Sequence, residues 1–392
     1  MRLAIFGGRL QGIEATYLSS KAGYETVLAD IDRNAPAKGL ADEFLQFDIL
    51  KNIGQTREVI RKADAVLPAN ENKQSLALLE GICNELGVPF MQDNAAFWVT
   101  SDKLRLHEFF VKSNIPTPNL WPKCGFPVIV KPSTGSGSES VHRANNALQL
   151  VKATEAVRSI GAEPVIQEFV QGPALSLEIV SRRGSGTPLQ ITGLEFDETY
   201  GCKRVYAPVE LSEETNEKMC RIGGRIASEL KLNGLTDVQS LVKGSNLKVN
   251  EINARLPCQT PTVVYHSTGI NIVELLVKLF VEDRLEQIQA RPNRAVLFQH
   301  VKIFENELSV QGEHVLTNAR DLRAEKKFFG ADEAITNLSS DMTSADGVAT
   351  LIVVSQSLSS ARKKMLSVVK KIMNEFALER YRDPRPRRGK MG

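Results

Sequence analysis

From Leu235 to Asn253 the chain alternates between apolar and polar side chains. Leu235–Val242 reads as a strand that carries Asp237 and Gln239 on one face. Lys243–Asn246 supplies a turn. Leu247, Val249 and Ile252 mark a second, buried strand, on which Glu251 and Asn253 share a face. Antiparallel pairing sets Asp237 and Gln239 beside Glu251 and Asn253, a cluster of oxygen-bearing groups. Glu251 and Asn253, two residues apart on one strand, suit a hard divalent cation such as Mg²⁺. Arg255 follows on the same side, where a fixed cation can hold a phosphate or a carboxylate. An edge strand with a solvated polar face would show the same spacing. Two strands precede this pair, Val165–Val170 and Ala174–Val180. On the second, Ser176 and Glu178 oppose Leu175, Leu177 and Ile179.

The N-terminal pattern is of another kind. Arg2–Phe6 is a strand, Gly7, Gly8 and Gly12 form a turn, and Ile13–Ala22 is a helix closed by Gly23. Thr26–Ala29 is the next strand and ends at Asp30, which completes one βαβ unit. The dinucleotide fingerprint needs a glycine where Arg9 stands, so NAD or FAD binding is not expected here. The loop Arg9, Leu10, Gln11 lines a pocket instead. Ala65–Leu67 is a buried strand, and Asn72–Leu86 a helix stopped by Gly87. Glu71 stands between them, where α/β folds place ligands. A first-turn acid favoured by the helix dipole is the other account of Glu71.

Asp93–Thr100 reads as a connector, and Ser101 and Asp102 cap a helix that runs to Ser113. Val128–Val130 is a strand that delivers Lys131, and Pro132–Ser138 follows, rich in glycine and serine. Such a loop after a strand lysine suits a moving phosphate cover, although a flexible hairpin has the same composition. No P-loop motif occurs. Asn146–Ile160, Glu213–Leu230 and Ile270–Phe280 read as helices. Beyond Arg291 and Pro292 come strands at Ala295–Phe304 and Val348–Val354, then an amphipathic helix at Ser360–Ala377. Tyr381–Gly392 reads as a disordered basic tail. The expected fold is α/β. A Rossmann-like domain spans 1–100, a central domain 101–290 with a lid-like part at about 118–172, and a small α+β region 291–380, before the tail at 381–392.

Composition narrows the class without choosing a function. The 392 residues suffice for two or three domains, and a net charge of +3 gives no argument for nucleic acid. No apolar run reaches the length of a membrane span, and the N-terminus reads as a first strand rather than a signal peptide. Five scattered cysteines without a C-x-x-C motif fit free thiols in a reducing cytoplasm. The histidines show no metal-binding or triad spacing.

Lys103, Lys131, the glycine/serine loop, Gln167–Val170 with Gly172, and Glu251-x-Asn253-x-Arg255 occur in the order of the ATP-grasp superfamily, which this chain resembles. Gly7–Gly12 with Glu14 and Ala15, Ala41–Phe44, Asn70–Asn72, Gln259–Thr262 and Ser267–Leu276 resemble, more narrowly, the pyrrolysine-biosynthesis ligases. Those ligases join 3-methyl-D-ornithine to L-lysine. The likeness is strong over about residues 1–280.

The resemblance implies an ATP-grasp fold and an ATP- and Mg²⁺-dependent amide ligase. Lys103 and Lys131 would bind the ATP phosphates, and Ser136 would cover them. Glu168, Phe169 and Val170 would run along the adenine edge. Ser176 and Glu178 would lie by the nucleotide or the amino acid. Glu251 and Asn253 would hold Mg²⁺, completed by Asp237 or Gln239, and Arg255 would stabilise an acyl phosphate. Leu10, Gln11, Glu71 and Thr260 would belong to the amino-acid pocket, with Glu71 pairing a substrate ammonium. The usual first metal carboxylate falls at Gln239, a neutral amide, and the usual ribose-contacting acid falls at Ala174. Other readings of these motifs are a ligase for other amino acids, of the dipeptide-ligase type, or a non-catalytic module that binds a nucleotide or amino acid. A homodimer is left open.

Overall fold

The computed structural model describes residues 1–135, 137, 140–285, 288, 290–338 and 346–386. Ser136 and the arginines and lysine at the end of the basic tail lie outside the described residues. The chain begins with β1 (Arg2–Phe6), α1 (Leu10–Lys21), β2 (Glu25–Asp30), β3 (Glu43–Gln46), α2 (Ile53–Arg61), β4 (Ala65–Pro68) and α3 (Lys73–Leu86). The four strands form a parallel sheet in the order β3-β2-β1-β4. Helices cover its faces, which is why β1 and β4 are apolar on both sides. The helix α1 opens at Leu10, three residues before the pattern places it. Gln11 through Ser19 are all buried, so no polar stripe marks its start. Leu10 and Gln11 are therefore first-turn helical residues rather than loop residues. The turn is tight: a Cβ at Gly7, where φ is +115°, would lie 2.4 Å from the Ala69 carbonyl oxygen.

The stretch expected to connect, Asp93–Thr100, contains a helix, α4 (Asn94–Thr100). The Asp93 carboxylate accepts from Ala96 N–H at 2.9 Å and caps it, and Ala96, Phe97 and Thr100 are buried. Seven residues are too few for a 3.6-residue period to stand out. Next come α5 (Lys103–Lys112), capped by Asp102, then β5 (Val128–Pro132), β6 (His142–Ala144), α6 (Ala147–Ser159) and β7 (Pro164–Glu168). The three strands make a small antiparallel sheet, β6-β5-β7.

The remaining elements are β8 (Ala174–Arg182), β9 (Ser185–Phe196), β10 (Cys202–Ala207), α7 (Glu213–Glu229), β11 (Gly234–Lys243), β12 (Asn246–Asn253), α8 (Thr260–Thr268), α9 (Ile272–Phe280), β13 (Ala295–Phe304), β14 (Glu307–Val310), β15 (Arg323–Lys326), β16 (Glu333–Thr336), β17 (Gly347–Ser355), α10 (Leu358–Glu375) and β18 (Arg380–Arg382). Their strands form one eleven-stranded sheet along β12-β11-β8-β9-β10-β13-β17-β16-β15, with β14 and β18 at its side. The strands after residue 290 thus extend the central sheet, through pairing of β10 with β13.

The start of the expected disordered tail, from Tyr381, is instead ordered. Arg380–Arg382 pairs parallel with β14, and the Asp383 carboxylate meets Lys203 at 2.6 Å and Arg204 at 2.5 Å. Two buried cations hold this end of the chain, against the expectation drawn from its basic composition. Among the described residues no single helix is long and apolar enough to cross a membrane.

Candidate functional site

Three neighbouring strands present one polar face. In the ladder, Glu178 of β8 lies opposite Asp237 of β11, which lies opposite Asn253 of β12. The adjoining row is Ser176, Gln239 and Glu251. Period-two alternation puts all six side chains on the same side, while Leu177, Val238 and Ile252 fill the core on the other. Asp237 is 1% exposed and Glu178 fully buried. Gln239 Nε2 donates to Asp237 Oδ2 at 3.0 Å, and Asn253 Nδ2 to the same oxygen at 3.4 Å. Ser176 Oγ donates to Glu178 Oε1 at 3.1 Å. The outer oxygens, Asp237 Oδ1 and Glu178 Oε2, are buried without a hydrogen-bond partner. Burial pushes the Glu178 carboxyl up to about 8, against hydroxyl contacts from Thr260 and Ser176 that hold it down. Burial also raises Asp237, opposed by the Arg255 charge.

A bulge in β12 shapes the next part. Gln239 pairs with Glu251 but Ser240 pairs with Val249, which leaves Asn250 as the extra residue. Val249 and Ile252 are therefore both buried although three residues apart, and Asn250 turns to the strand of Lys131. Asn250 Oδ1 accepts from Lys131 Nζ at 3.3 Å and from Gln167 Nε2 at 2.7 Å. Asn250 was not among the expected site residues. Its signal was the break in alternation between Val249 and Ile252. Lys131 is buried, and this lowers its ammonium pKa to about 8, with Glu251 opposing the fall and Lys103 adding to it. Lys103, the first residue of α5, donates from Nζ to the Gly135 carbonyl at 2.8 Å. Lys103, Lys131, Gln167 and Asn250 line one cleft with Leu106 and Phe110.

Glu168 ends β7, and its carboxylate meets Lys248 Nζ at 2.5 Å and Asn119 N–H at 3.2 Å. Burial raises its pKa, but the Lys248 and Asn119 contacts outweigh that and hold it low. The Phe169 ring lies under the Arg143 guanidinium at 4.1 Å, and Val170 is buried.

At the far end, Arg255 Nε donates to Glu71 Oε1 at 2.9 Å, and Gln11 Nε2 donates to the same oxygen at 3.0 Å. The helix-cap account of Glu71 fails: the N-cap of α3 is Asn72, whose Oδ1 accepts from Ser75 N–H at 2.9 Å. Thr260 opens α8 beside Glu178. The Glu14 carboxylate, from α1, caps that helix by accepting from Gln259 N–H at 3.2 Å and Thr262 N–H at 2.6 Å. Leu10 packs against the large core cluster nearby.

These donors fit Mg²⁺. They are hard oxygens, two of the carboxylate oxygens have no partner, and Mg²⁺ completes its shell with water and phosphate. Among the described residues no three His, Cys, Asp or Glu side chains are grouped as a metal site by themselves, which follows from amides standing at Gln239 and Asn253. The two cations that line the cleft, Lys103 and Lys131, carry the charge that a polyphosphate needs.

Residues 100–259 match the model of the ATP-grasp domain. Among solved structures, the biotin carboxylase domain of the Hydrogenobacter thermophilus 2-oxoglutarate carboxylase, bound to MgADP, superposes with a TM-score of 0.73 at 17% identity, over 94% of this chain and 89% of that one. An ADP complex of N5-carboxyaminoimidazole ribonucleotide synthetase gives 0.72 at 15% identity, over 96% and 97%. Fold and site define an ATP-grasp carbon–nitrogen ligase, an enzyme that uses ATP and Mg²⁺ and forms ADP and phosphate. The 3-methyl-D-ornithine–L-lysine ligase of Methanosarcina barkeri is 34% identical over 321 residues, 81% of this chain and 85% of that protein. The chain belongs to that family of ligases.

Proposed function

We propose that this chain activates the carboxylate of 3-methyl-D-ornithine with ATP and joins it to the ε-amine of L-lysine, a step of pyrrolysine biosynthesis. The observation that carries the chemistry is the row of Lys131, Glu251, Gln239 and Asp237 leading to Arg255. It supports the movement of a phosphoryl group toward a carboxylate held at the far end.

A carboxylate oxygen attacks the γ-phosphorus, and the bond to ADP breaks. The lysine nitrogen then attacks the acyl carbon, the C–N bond forms and phosphate leaves. Phosphoryl transfer needs placement and charge neutralisation more than acid–base groups. Lys103 and Lys131 neutralise the phosphates, and Asn250, itself held by Gln167, positions the Lys131 ammonium. Glu251, Asn253 and Asp237 would hold Mg²⁺, whose bound charge stabilises the transferring group. Gln239 steadies Asp237 by its amide hydrogen and leaves its own oxygen for the ion. Arg255 receives the acyl phosphate, and Glu71 with Gln11 fixes its direction. The attacking amine, with a free pKa of about 10.4, sheds a proton before attack. The substrate carboxylate and the lysine amine are the nucleophiles of this sequence, so it runs by direct transfer without a covalent enzyme intermediate.

Five cysteines, all unpaired, support a cytoplasmic setting. The test is ADP release with MgATP and lysine, with and without 3-methyl-D-ornithine, and the product mass. ADP release that ignores 3-methyl-D-ornithine refutes the assignment.

A further inference from the structure

The chain reaches Thr260 through a strained turn. Gln259 has φ +75° and ψ −52°, and Thr260 N–H donates to the Cys258 carbonyl at 2.9 Å. This is a γ-turn of the rare kind, and such backbone persists only where its surroundings hold it. Gln259 stands at the N-cap of α8 but makes no capping hydrogen bond with its own side chain. Glu14 caps the helix instead, from α1 and 245 residues away in sequence. The Glu14 side chain is buried, 3% exposed. One carboxylate oxygen takes the N–H of Gln259, the middle residue of the turn, and the other takes the N–H of Thr262. These two bonds bracket Thr260.

The Thr260 hydroxyl lies against the Glu178 carboxyl. Glu178 begins the row that continues through Asp237 to Asn253. One turn earlier on α1, Gln11 donates to the Glu71 oxygen that Arg255 also holds. The helix α1 thus reaches the site at two points, Arg255 by way of Glu71 and Thr260 by way of Glu14. Its next contact has another character. The Tyr17 hydroxyl meets His266 Nε2 at 2.8 Å, near the other end of α8, and donates to Glu333 Oε2 at 2.7 Å. That contact docks the two helices and does not touch the turn.

We propose that Glu14 is a positioning residue: it holds the turn Cys258–Gln259–Thr260 and so sets the Thr260 hydroxyl for the amino acid whose carboxylate is activated at Arg255. This rests on the function proposed above. A carboxylate suits the task because both of its oxygens accept, whereas a glutamine would turn an amide nitrogen toward one of the two N–H groups.

Glu14→Gln should therefore raise the KM for 3-methyl-D-ornithine about tenfold and leave the ATP KM within about twofold. Thr260→Val should have the same effect, and the double variant should be no worse than Thr260→Val alone, because Glu14 acts through Thr260. Tyr17→Phe cuts the docking at the other end of α8, and should lower Tm while both KM values stay within about twofold. Glu14→Asp draws the carboxylate back and serves where Glu14→Gln does not fold, with ATP titration as the check on folding. An unchanged amino-acid KM, losses that add to those of Thr260→Val, or an equal KM rise in Tyr17→Phe overturns the proposal. Calorimetric titration with D-ornithine separates it from the reading it rests on. If wild type makes no product, the assigned reaction fails, and equal D-ornithine affinity in wild type and Glu14→Gln defeats the positioning role on its own.

Discussion

Arg255 Nε–H points at Glu71 Oε1 across 2.9 Å, and so ties the end of β12 to the turn after β4. The pair joins the metal-side strands to the N-terminal sheet. The Arg255 side chain is 10% exposed and lies in the fields of Glu71, Asp237 and Glu251, so removing its hydrogen-bonded partner takes away its largest compensation. Glu71→Gln is expected to lower kcat about tenfold and to leave the ATP KM within about twofold. A double-mutant cycle with Arg255→Met should return a coupling of about 1–3 kcal/mol. Additive losses would mean that the two residues act apart.

Lys131 carries the next prediction. Lys131→Ala should reduce turnover about 10²-fold or more with the fold intact. Its folded pKa of about 8 is below the ordinary 10.5. Between these values the unfolded chain holds the proton and the folded protein does not. Stability from this group therefore rises from pH 8 to 10.5, and its burial cost is full below pH 8. Bound phosphates favour the ammonium, so ATP binding at pH 8.5 should take up a proton. Calorimetry in buffers of different ionisation enthalpy measures it, and zero uptake would remove Lys131 from the phosphate site.

The amide at Gln239 makes the candidate metal site adjustable. Gln239→Glu places a second carboxylate against Asp237 Oδ2 and removes the hydrogen bond seen at 3.0 Å. In EDTA this variant should melt several degrees below wild type, and Mg²⁺ should restore it. Its Mg²⁺ requirement for half-maximal rate should fall. Glu251→Gln should nearly abolish turnover and raise that requirement. Wild-type-like activity of Glu251→Gln sinks the assignment.

Asp383 neutralises Lys203 and Arg204, both nearly buried. Burial raises the Asp383 carboxyl, and the hydrogen bonds from Lys203 and Arg204 outweigh this and hold it below its ordinary value. Its contribution is thus present at neutral pH and lost as pH falls through the depressed folded value, below the ordinary aspartate range. Asp383→Asn should cost about 3 kcal/mol at pH 7, and less as the pH falls below the ordinary aspartate range. Denaturant titrations at pH 7 and at a pH below the ordinary aspartate range give the difference. Equal loss at both would assign the effect to packing.

Residue pattern alone placed the pairs Asp237/Gln239 and Glu251/Asn253 on adjoining strands, because period two is local and one face is buried. Lys131 was legible as the residue that a strand delivers before a flexible loop. Asn250 was hidden because a bulge is a property of two strands in register. Asp383 was hidden too, since it acts on residues far away in sequence. The strands β9 and β10 were not foreseen: β9 begins in Ser185–Pro188, which reads as turn chemistry. The helix α1 lost its start for the opposite reason, since burial on all sides erased its polar face.

The unbroken run of hydrogen bonds from β12 to β15 has a mechanical meaning. A ladder such as β10 with β13 cannot slide without rupture of its whole row of bonds. The strands that hold Glu251 and those that follow Ala295 therefore move as one slab. The small sheet β6-β5-β7 is a three-strand leaf outside that ladder, and opening and closing over a nucleotide is expected of it. Amide hydrogens should report the division directly: those at the centre of the slab, on β8, β11 and β13, exchange through global unfolding. Those of β5 and β6 exchange through local opening, and slow down when ATP binds.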